Sequence, residues 1–182
     1  PLNNYDSLYT TCGKTSSFPS EICTFCLNFS DFIMQISEAV FAEKRHIMIY
    51  GIGCDLCDTA RMAKSLGGPH GSTFAARVFG PAEREALGLS EGNSSPLSAH
   101  KAASAAADFA AKEAFLKAAG TGLAGPFALC EIEAVRLESG APEYRFSGGS
   151  ARWMDERHLR AKLSLSHDGG MALAFCILET ET

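Results

Sequence analysis

The sequence has no excess of positive charge and no long apolar run. Its 16 Lys and Arg residues are outnumbered by 21 Asp and Glu residues, which gives a formal net charge of −5. Because the chain lacks the basic surplus of a nucleic-acid-binding protein, we predict no nucleic-acid partner. No apolar run reaches the roughly 20 residues of a membrane span, and the N-terminus lacks the basic-then-apolar pattern of a secretory signal. An acidic partner can still bind, but only through a local cluster of Arg and Lys.

The seven cysteines follow no regular spacing. An odd number of cysteines at irregular intervals does not form a disulfide framework, so we predict free thiols in a reducing, cytosolic compartment. Two pairs, Cys23 with Cys26 and Cys54 with Cys57, nevertheless have the two-residue gap that zinc ribbons use. A zinc module is therefore an alternative, although the stretch between the two pairs is long.

The first 46 residues differ in composition from the rest of the chain. They are rich in Ser, Thr, Asn, Phe and Cys and contain little Gly or Ala. Apolar residues at helical spacing predict an amphipathic helix over residues 25–44; they are Phe25, Phe29, Phe32, Ile36 and Val40. We interpret residues 1–46 as an N-terminal extension, partly helical or disordered, and residues 47–182 as one folded domain.

Residues 47–182 mix helix and strand signals. A short apolar run that ends in glycines, residues 47–53, predicts a buried strand. Asp58 occupies an N-cap position, and Gly120 ends the strongest helix pattern. Three helices are predicted: over 59–66, 81–89 and 102–119. Four further strands are predicted: near 129–138, 143–147, 163–166 and 171–178, the last two as a hairpin. Because helices and strands do not alternate strictly, the sequence predicts an α+β fold.

Several residues have chemistry that a phosphate or metal site could use. Asp55 follows a glycine-containing strand, where a carboxylate can hold a hard cation. Glu113 and Lys117 are four residues apart and share one helix face, and the Gly-Thr-Gly sequence at 120–122 lets a ligand approach the backbone closely. His167 follows two alternating serines at the predicted hairpin. Each feature alone is typical of ordinary turns, caps and surface pairs.

Four segments in this order resemble the holo-[acyl-carrier-protein] synthase family, the small class of phosphopantetheinyl transferases. They are MIYGIGCDLCDTARM (48–62), FAARVFGPAERE (74–85), DFAAKEAFLKAAGTG (108–122) and KLSLSHDGGMALAF (162–175). The Gly-Ile-Gly-x-Asp strand and the Lys-Glu-Ala helix that ends in Gly-Thr-Gly are highly specific as a pair. The resemblance implies the 4'-phosphopantetheinyl transferase fold for residues 47–182, with a long central helix packed on a small, mainly antiparallel sheet.

The resemblance also implies a reaction, the transfer of 4'-phosphopantetheine from coenzyme A to a serine of an apo acyl carrier protein. Asp55 and Glu113 match the two carboxylates that bind Mg²⁺ in the family. Glu113 is expected to act as general base, either directly or through a metal-bound water, and Lys117 to stabilise the departing adenosine 3',5'-bisphosphate. Whether the carrier protein serves fatty-acid, polyketide or another synthesis stays open.

Other matching positions are expected to hold the two substrates. The coenzyme A contacts implied by the resemblance are Gly120, Thr121, Gly122 and His167. Lys112 is also expected to bind coenzyme A, because it adjoins Glu113 on the same helix. Arg61 and Arg77 match a basic surface that binds the acidic carrier protein. Relatives of this family form trimers with the active site between subunits, so the resemblance implies a homotrimer.

The chain departs from the family pattern at three places. Asp108 stands where the family usually has a basic residue near the nucleotide phosphates, and an aspartate there is expected to repel phosphate. The turn at 140–142 lacks the usual Lys or Arg, and residues 1–46 have no counterpart. A relative that binds carrier protein without transferring anything is therefore a further alternative.

Overall fold

The structure is a computed structural model that describes residues 47–89 and 97–181. The predicted extension over residues 1–46, with its helix over 25–44 and with Cys23 and Cys26, lies outside the described residues. No helix of the described part of the chain is long and apolar enough to cross a membrane.

Five strands and five helices make up the described chain. The strands are β1 (Ile47–Asp58), β2 (Ile132–Arg136), β3 (Pro142–Phe146), β4 (Leu159–Asp168) and β5 (Met171–Glu181). The helices are α1 (Thr59–Gly67), α2 (Gly71–Val78), α3 (Pro81–Leu87), α4 (Ala99–Ala118) and α5 (Gly148–Glu156), and a short 3₁₀ turn spans Leu129–Glu131. The predicted α+β fold is confirmed: one long helix packs on an antiparallel sheet.

The main sheet has three antiparallel strands in the order β1-β5-β4. Side chains alternate between its two faces, as the two-residue period of a strand requires. On one face, Ala172, Ala174 and Cys176 of the central strand are fully buried beneath α4. The opposite face remains open to solvent in the single chain. Leu173 and Phe175, which alternate with these buried residues along the strand, are exposed on it. The face covered by α4 carries the residues of the candidate site.

Small residues allow α4 to lie directly against β1. A Cβ atom added at Gly53 would overlap the carbonyl oxygen of Ala114, and one added at Gly51 would overlap that of Ala118. Glycines at alternate strand positions therefore face alanines one helical turn apart. This backbone-to-backbone contact fixes the depth and the rotation of α4 relative to the strand.

The second sheet is the β2–β3 hairpin, which closes the other side of α4 around Phe115. The Phe115 ring is fully buried and lies 4.8 Å from Phe146 and 5.9 Å from Tyr144, centroid to centroid. Phe127 and Trp153 contact the same ring from the loop and from α5. These aromatic contacts anchor the middle of α4 in the core.

The structure differs from the sequence prediction in three elements. β1 extends to Asp58, so Asp55 lies within the strand and not beyond its end. Asp58 is the N-cap of α1, as predicted, and its Oδ1 accepts the Arg61 amide at 2.8 Å. Helices α2 and α5 were not predicted. Both are short and begin at glycines, Gly71 and Gly148, which weaken a helix pattern in the sequence.

Candidate active site

Asp55 places a carboxylate on the face of the main sheet that α4 covers. It pairs in register with Ala174 of β5, which is fully buried beneath the helix. The Asp55 side chain is only 13% exposed. A strand residue on this face cannot swing away from the helix, so β1 holds the carboxylate at the border between the core and the solvent.

Lys117 of α4 binds this carboxylate directly. Its Nζ lies 2.7 Å from Asp55 Oδ1 and also donates to the Cys54 carbonyl at 2.9 Å. The hydrogen bond to Asp55 raises the pKa of Lys117 above its ordinary value. Two residues predicted from the sequence to belong to one site are therefore in contact in the structure.

Glu113 lies one helical turn before Lys117 and completes the group. Partial burial and the nearby Asp55 carboxylate raise the pKa of Glu113, while the positive charges of Lys117 and Arg61 act in the opposite direction. The four side chains thus share one electrostatic environment at the junction of β1, α1 and α4. A carboxylate whose pKa is raised is a better proton acceptor than an exposed glutamate.

The two carboxylates fit a magnesium ion. Mg²⁺ prefers oxygen ligands and is usually held by one or two carboxylates together with substrate phosphates and water. Asp55 and Glu113 supply two such groups. The negative charge of Asp55 raises the pKa of Glu113, so the two carboxylates lie near enough to interact, as ligands of one cation must. No group of three or more His, Cys, Asp or Glu that could hold a metal occurs among the described residues. Two carboxylates leave the other coordination positions of such a cation to substrate oxygens and water.

Lys112 does not join this group. It is fully buried on another side of α4, where its Nζ donates to Glu83 Oε2 at 2.6 Å and to the Leu129 and Ile132 carbonyls. A lysine ammonium has three donors, and all three are used within the core. The predicted contact of Lys112 with coenzyme A is therefore not supported by its position, and the structure gives it a role in fixing α4 to α3 and β2.

Asp108 has a partner that the sequence did not predict. The side chain is buried, and its Oδ1 accepts a hydrogen bond from Arg136 Nη2 at 3.0 Å. Burial raises the pKa of Asp108 to about 7 despite the arginine beside it. The expected repulsion of phosphate is thus offset by a guanidinium on the adjoining strand. The two residues are 28 positions apart, so no local sequence pattern indicates that they pair.

The Gly-Thr-Gly segment ends α4 but lies apart from Asp55. Gly120 and Gly122 have positive φ angles of 71° and 62°, and the Thr121 amide donates to the Leu116 carbonyl at 3.1 Å, which is a glycine-dependent helix end. Ala118 packs on Gly51, four strand residues from Asp55. Ala118 therefore lies about 13 Å along the strand from Asp55, and the segment begins two residues after Ala118.

His167 lies on the same face of the sheet as Asp55 but two strands away. It pairs with Ala172, which pairs in turn with Cys57 of β1. Two strand spacings correspond to about 10 Å. His167 is exposed near the end of β4. A large substrate such as a nucleotide can span this distance, whereas a single metal ion cannot.

Arg77 lines a groove beside α2. The groove has a volume of about 530 Å³, and it is lined by His70, Thr73, Phe74, Arg77, Val78 and Leu129. Its walls are mainly apolar, with His70, Thr73 and Arg77 as the polar residues. Arg61 is exposed on the preceding helix, near Glu113. The two arginines predicted to bind a partner therefore lie on neighbouring helices, one of them at the carboxylates.

The described cysteines do not form half of a zinc site. Cys54 is exposed on the open face of the main sheet, whereas Cys57 is buried on the face beneath α4. Residues three apart in a strand point to opposite faces, so the two sulfurs cannot share one metal ion. Cys54 and Cys57 therefore cannot supply two ligands to the zinc module that the sequence left as an alternative. Cys130 and Cys176 are also free thiols.

Three comparisons with known proteins point to one family. Residues 51–176 match the family model described as the 4'-phosphopantetheinyl transferase superfamily. A holo-[acyl-carrier-protein] synthase from Azoarcus sp. (strain BH72) is 40% identical over 133 residues, which are 73% of this chain and 99% of that protein.

Two solved structures have the same fold. The holo-[acyl-carrier-protein] synthase from Neisseria meningitidis is 33% identical to this chain, with a TM-score of 0.60. The match covers 73% of this chain and 100% of that protein. A holo-(acyl-carrier-protein) synthase from Bacillus anthracis in complex with CoA (3',5'-ADP) is 29% identical with a TM-score of 0.57, over 74% of this chain and 99% of its own.

Proposed function

Because this chain belongs to the holo-[acyl-carrier-protein] synthase family of the 4'-phosphopantetheinyl transferase superfamily, we propose that it modifies a serine of an apo acyl carrier protein. The group transferred is the 4'-phosphopantetheine of coenzyme A, the reaction depends on Mg²⁺, and adenosine 3',5'-bisphosphate is released. The observation that carries this proposal is the convergence of Asp55, Glu113 and Lys117 at the junction of β1 and α4.

In the proposed reaction, the serine oxygen attacks the β-phosphorus of coenzyme A. A new P–O bond forms to the serine, the bond between that phosphorus and the bridging pyrophosphate oxygen breaks, and the electron pair leaves with the bisphosphate. Asp55 and Glu113 would hold Mg²⁺, whose chemistry is to neutralise charge on the phosphoryl oxygens. The protein forms no covalent intermediate, so positioning and charge neutralisation account for the rate.

Two side chains have further roles in this mechanism. Glu113 is the general base that accepts the serine proton. Lys117 is half exposed and has a flexible stem, so its ammonium can reach a phosphate from its position beside Asp55. It then stabilises negative charge on the departing bisphosphate.

Coenzyme A binding would extend beyond the carboxylates. Its nucleotide part would run toward the Gly120–Gly122 segment or toward His167, both of which lie about 10 Å or more from Asp55. The complex of the Bacillus anthracis relative with CoA (3',5'-ADP) supports coenzyme A as the substrate. Lys112 has no part in this binding, since its donors are used in the core.

The carrier protein would dock on α1 and α2. Arg61 and Arg77 provide positive charge to an acidic partner, and the apolar groove beside Arg77 can receive an apolar side chain of that partner. Arg61 lies close enough to Glu113 to influence its charge, so a carrier protein bound there presents its serine near the proposed base.

A homotrimer is part of the proposal and rests on the family and on the open face of the main sheet. Four apolar side chains lie together on that face and are 41–54% exposed: Ile52, Leu56, Leu173 and Phe175. A contiguous apolar patch on a sheet marks a protein interface. A second and third copy of this chain would cover it.

The test is the intact mass of an apo acyl carrier protein after incubation with this protein, coenzyme A and Mg²⁺. The carrier is expected to gain one phosphopantetheine group, and EDTA is expected to abolish the gain. Glu113→Gln should abolish turnover with the fold intact, whereas Glu138→Gln, at an exposed turn, is the matched control that should remain active. No gain with carrier proteins of several kinds would refute the proposed transfer and favour the non-catalytic alternative.

A further inference from the structure

The Lys117 ammonium is bound to a carboxylate that the proposed mechanism assigns to a cation. It lies 2.7 Å from Asp55 Oδ1 and 2.9 Å from the Cys54 carbonyl. Both acceptors are oxygen atoms, the type of ligand that Mg²⁺ also prefers. The lysine thus occupies coordination positions that a divalent cation at Asp55 would use.

The lysine and a divalent cation repel each other if both use these oxygens. Two cations that share one carboxylate are held within a few ångströms of each other and repel, and water on the exposed side of the pair reduces this repulsion only in part. The Lys117 side chain, in contrast, is 51% exposed and can move without disturbing the core. The conflict is therefore resolved by movement of the lysine and not of the strand.

A phosphate-bearing ligand offers Lys117 another partner. The ammonium is a compact charge on a four-carbon stem with three rotatable donors, and phosphate oxygens are strong acceptors for it. A nucleotide bound beside Asp55 would therefore draw the lysine off the carboxylate. Its departure frees Asp55 for the cation.

We propose that Lys117 is an internal competitor of the divalent cation at Asp55, and that coenzyme A binding releases this competition. The metal ion and coenzyme A then bind with positive coupling, and the free enzyme has a low affinity for the metal alone. This inference rests on the proposed function, since it takes Asp55 as a metal ligand and coenzyme A as the phosphate-bearing substrate.

The experiment measures Mn²⁺ binding to the full chain by electron paramagnetic resonance, with and without saturating coenzyme A. Lys117→Met removes the competing charge but retains a side chain of similar length. Lys101→Met removes the same charge from the same helix at a distance of about 24 Å along its axis, and serves as the matched control. Circular dichroism establishes that all three proteins are folded.

Without coenzyme A, Lys117→Met is expected to bind Mn²⁺ about fivefold more tightly than the unsubstituted protein, a factor that corresponds to about 1 kcal/mol for an ion pair exposed on one side. Lys101→Met should bind as the unsubstituted protein does. Saturating coenzyme A should tighten Mn²⁺ binding by a larger factor in the unsubstituted protein than in Lys117→Met, because only the former has a competitor to release.

Two results would overturn the inference in distinguishable ways. Equal Mn²⁺ affinities of the unsubstituted protein and Lys117→Met, with clear binding to both, would refute the competition and leave the proposed function intact. Failure of all three proteins to bind Mn²⁺, even with coenzyme A present, would refute the metal site of the proposed function and the inference with it.

Discussion

Arg61 connects the proposed docking surface with the proposed chemistry. It is exposed on α1, yet its charge acts on Glu113. We expect Arg61→Ala to raise the KM for carrier protein roughly fivefold, since one interface charge is worth about 1 kcal/mol, and to leave the KM for coenzyme A nearly unchanged. Steady-state kinetics at two salt concentrations test this, because the substitution should also weaken the salt dependence.

Arg145→Ala is the control for Arg61→Ala. Arg145 is exposed on β3, which belongs to the hairpin on the other side of α4. The substitution Arg145→Ala removes the same charge from the protein without altering α1 or α2. Equal increases in KM for both substrates in Arg61→Ala would contradict a docking role for this residue.

Asp108 makes the stability of the fold depend on pH. Burial raises its pKa from 3.8 to about 7, so the folded state binds the proton more tightly than the unfolded chain. The protonated Asp108 carboxyl stabilises the fold fully at pH values below its pKa in the unfolded chain. This stabilisation is lost as the pH rises toward 7, by up to about 1.4 kcal/mol per pH unit. The free energy of unfolding of the unsubstituted protein, measured relative to that of Asp108→Asn, should therefore fall between pH 5 and pH 7.

Urea unfolding at both pH values measures this difference. Asp155→Asn, which removes an exposed carboxylate from α5, is the control for the change in net charge. If the free energies of unfolding of the unsubstituted protein and Asp108→Asn differ by the same amount at pH 5 and pH 7, the raised pKa is contradicted.

At the residue scale, the sequence predicted the part of the site that depends on helical spacing. Glu113 and Lys117 share a face because they are one turn apart, and the resemblance supplied Asp55 as their partner. The predicted role of Lys112 followed from its place next to Glu113, but adjacent residues on a helix point in different directions. Its partner Glu83 and the Asp108–Arg136 pair come from distant segments, which a single sequence does not bring together.

At the scale of elements, the contact between β1 and α4 positions the site. Gly53→Ala would place a methyl group against the Ala114 carbonyl oxygen and within 2.7 Å of the Ala118 amide nitrogen. Neither backbone atom can move independently of its helix. We expect a loss of roughly 3 kcal/mol in the free energy of unfolding, as for overpacked cores, and a larger loss of turnover because α4 carries Glu113 away from Asp55.

Gly67→Ala is the matched control, because nothing beyond its chain neighbours and its own helix backbone lies within 4 Å of the position its Cβ would take. It should leave the stability unchanged or raise it slightly. Thermal unfolding and the carrier-protein mass assay together measure both variants. Equal stability of Gly53→Ala and Gly67→Ala would mean that the contact is not as close as the structure indicates.

The glycine and alanine spacing shows why some elements were predictable. Alternating glycines in β1 and alanines four apart in α4 follow the periods of a strand and a helix, and both elements were predicted. Helices α2 and α5 were missed, although α1 and α3 are of similar length, because neither has a side-chain N-cap hydrogen bond or a proline at its start. Asp58 caps α1 and Pro81 begins α3, and these signals made both of those helices predictable. The end of β1 was predicted too early because the apolar run stops at Gly53, whereas the strand continues past Asp55 to Asp58.

At the scale of the whole molecule, the open face of the main sheet decides whether the chain acts alone. Phe175 lies in the middle of that face, paired with Cys54 of β1 and with Ser164 of β4. If three copies bury this face, Phe175→Asp places a carboxylate in an apolar interface, where an unpaired charge costs several kcal/mol. Light scattering after size-exclusion chromatography should then give a trimer mass for the unsubstituted protein and a monomer mass for Phe175→Asp.

Leu137→Asp separates this interface from general effects of a new charge. Leu137 is 47% exposed, similar to Phe175 at 41%, but it lies in the turn between β2 and β3. Leu137→Asp should remain a trimer with full activity, whereas Phe175→Asp should lose both if the active site of the proposed trimer lies between subunits. A monomer mass for the unsubstituted protein would refute the trimer, and Asp55, Glu113 and Lys117 would then have to bind coenzyme A within one chain.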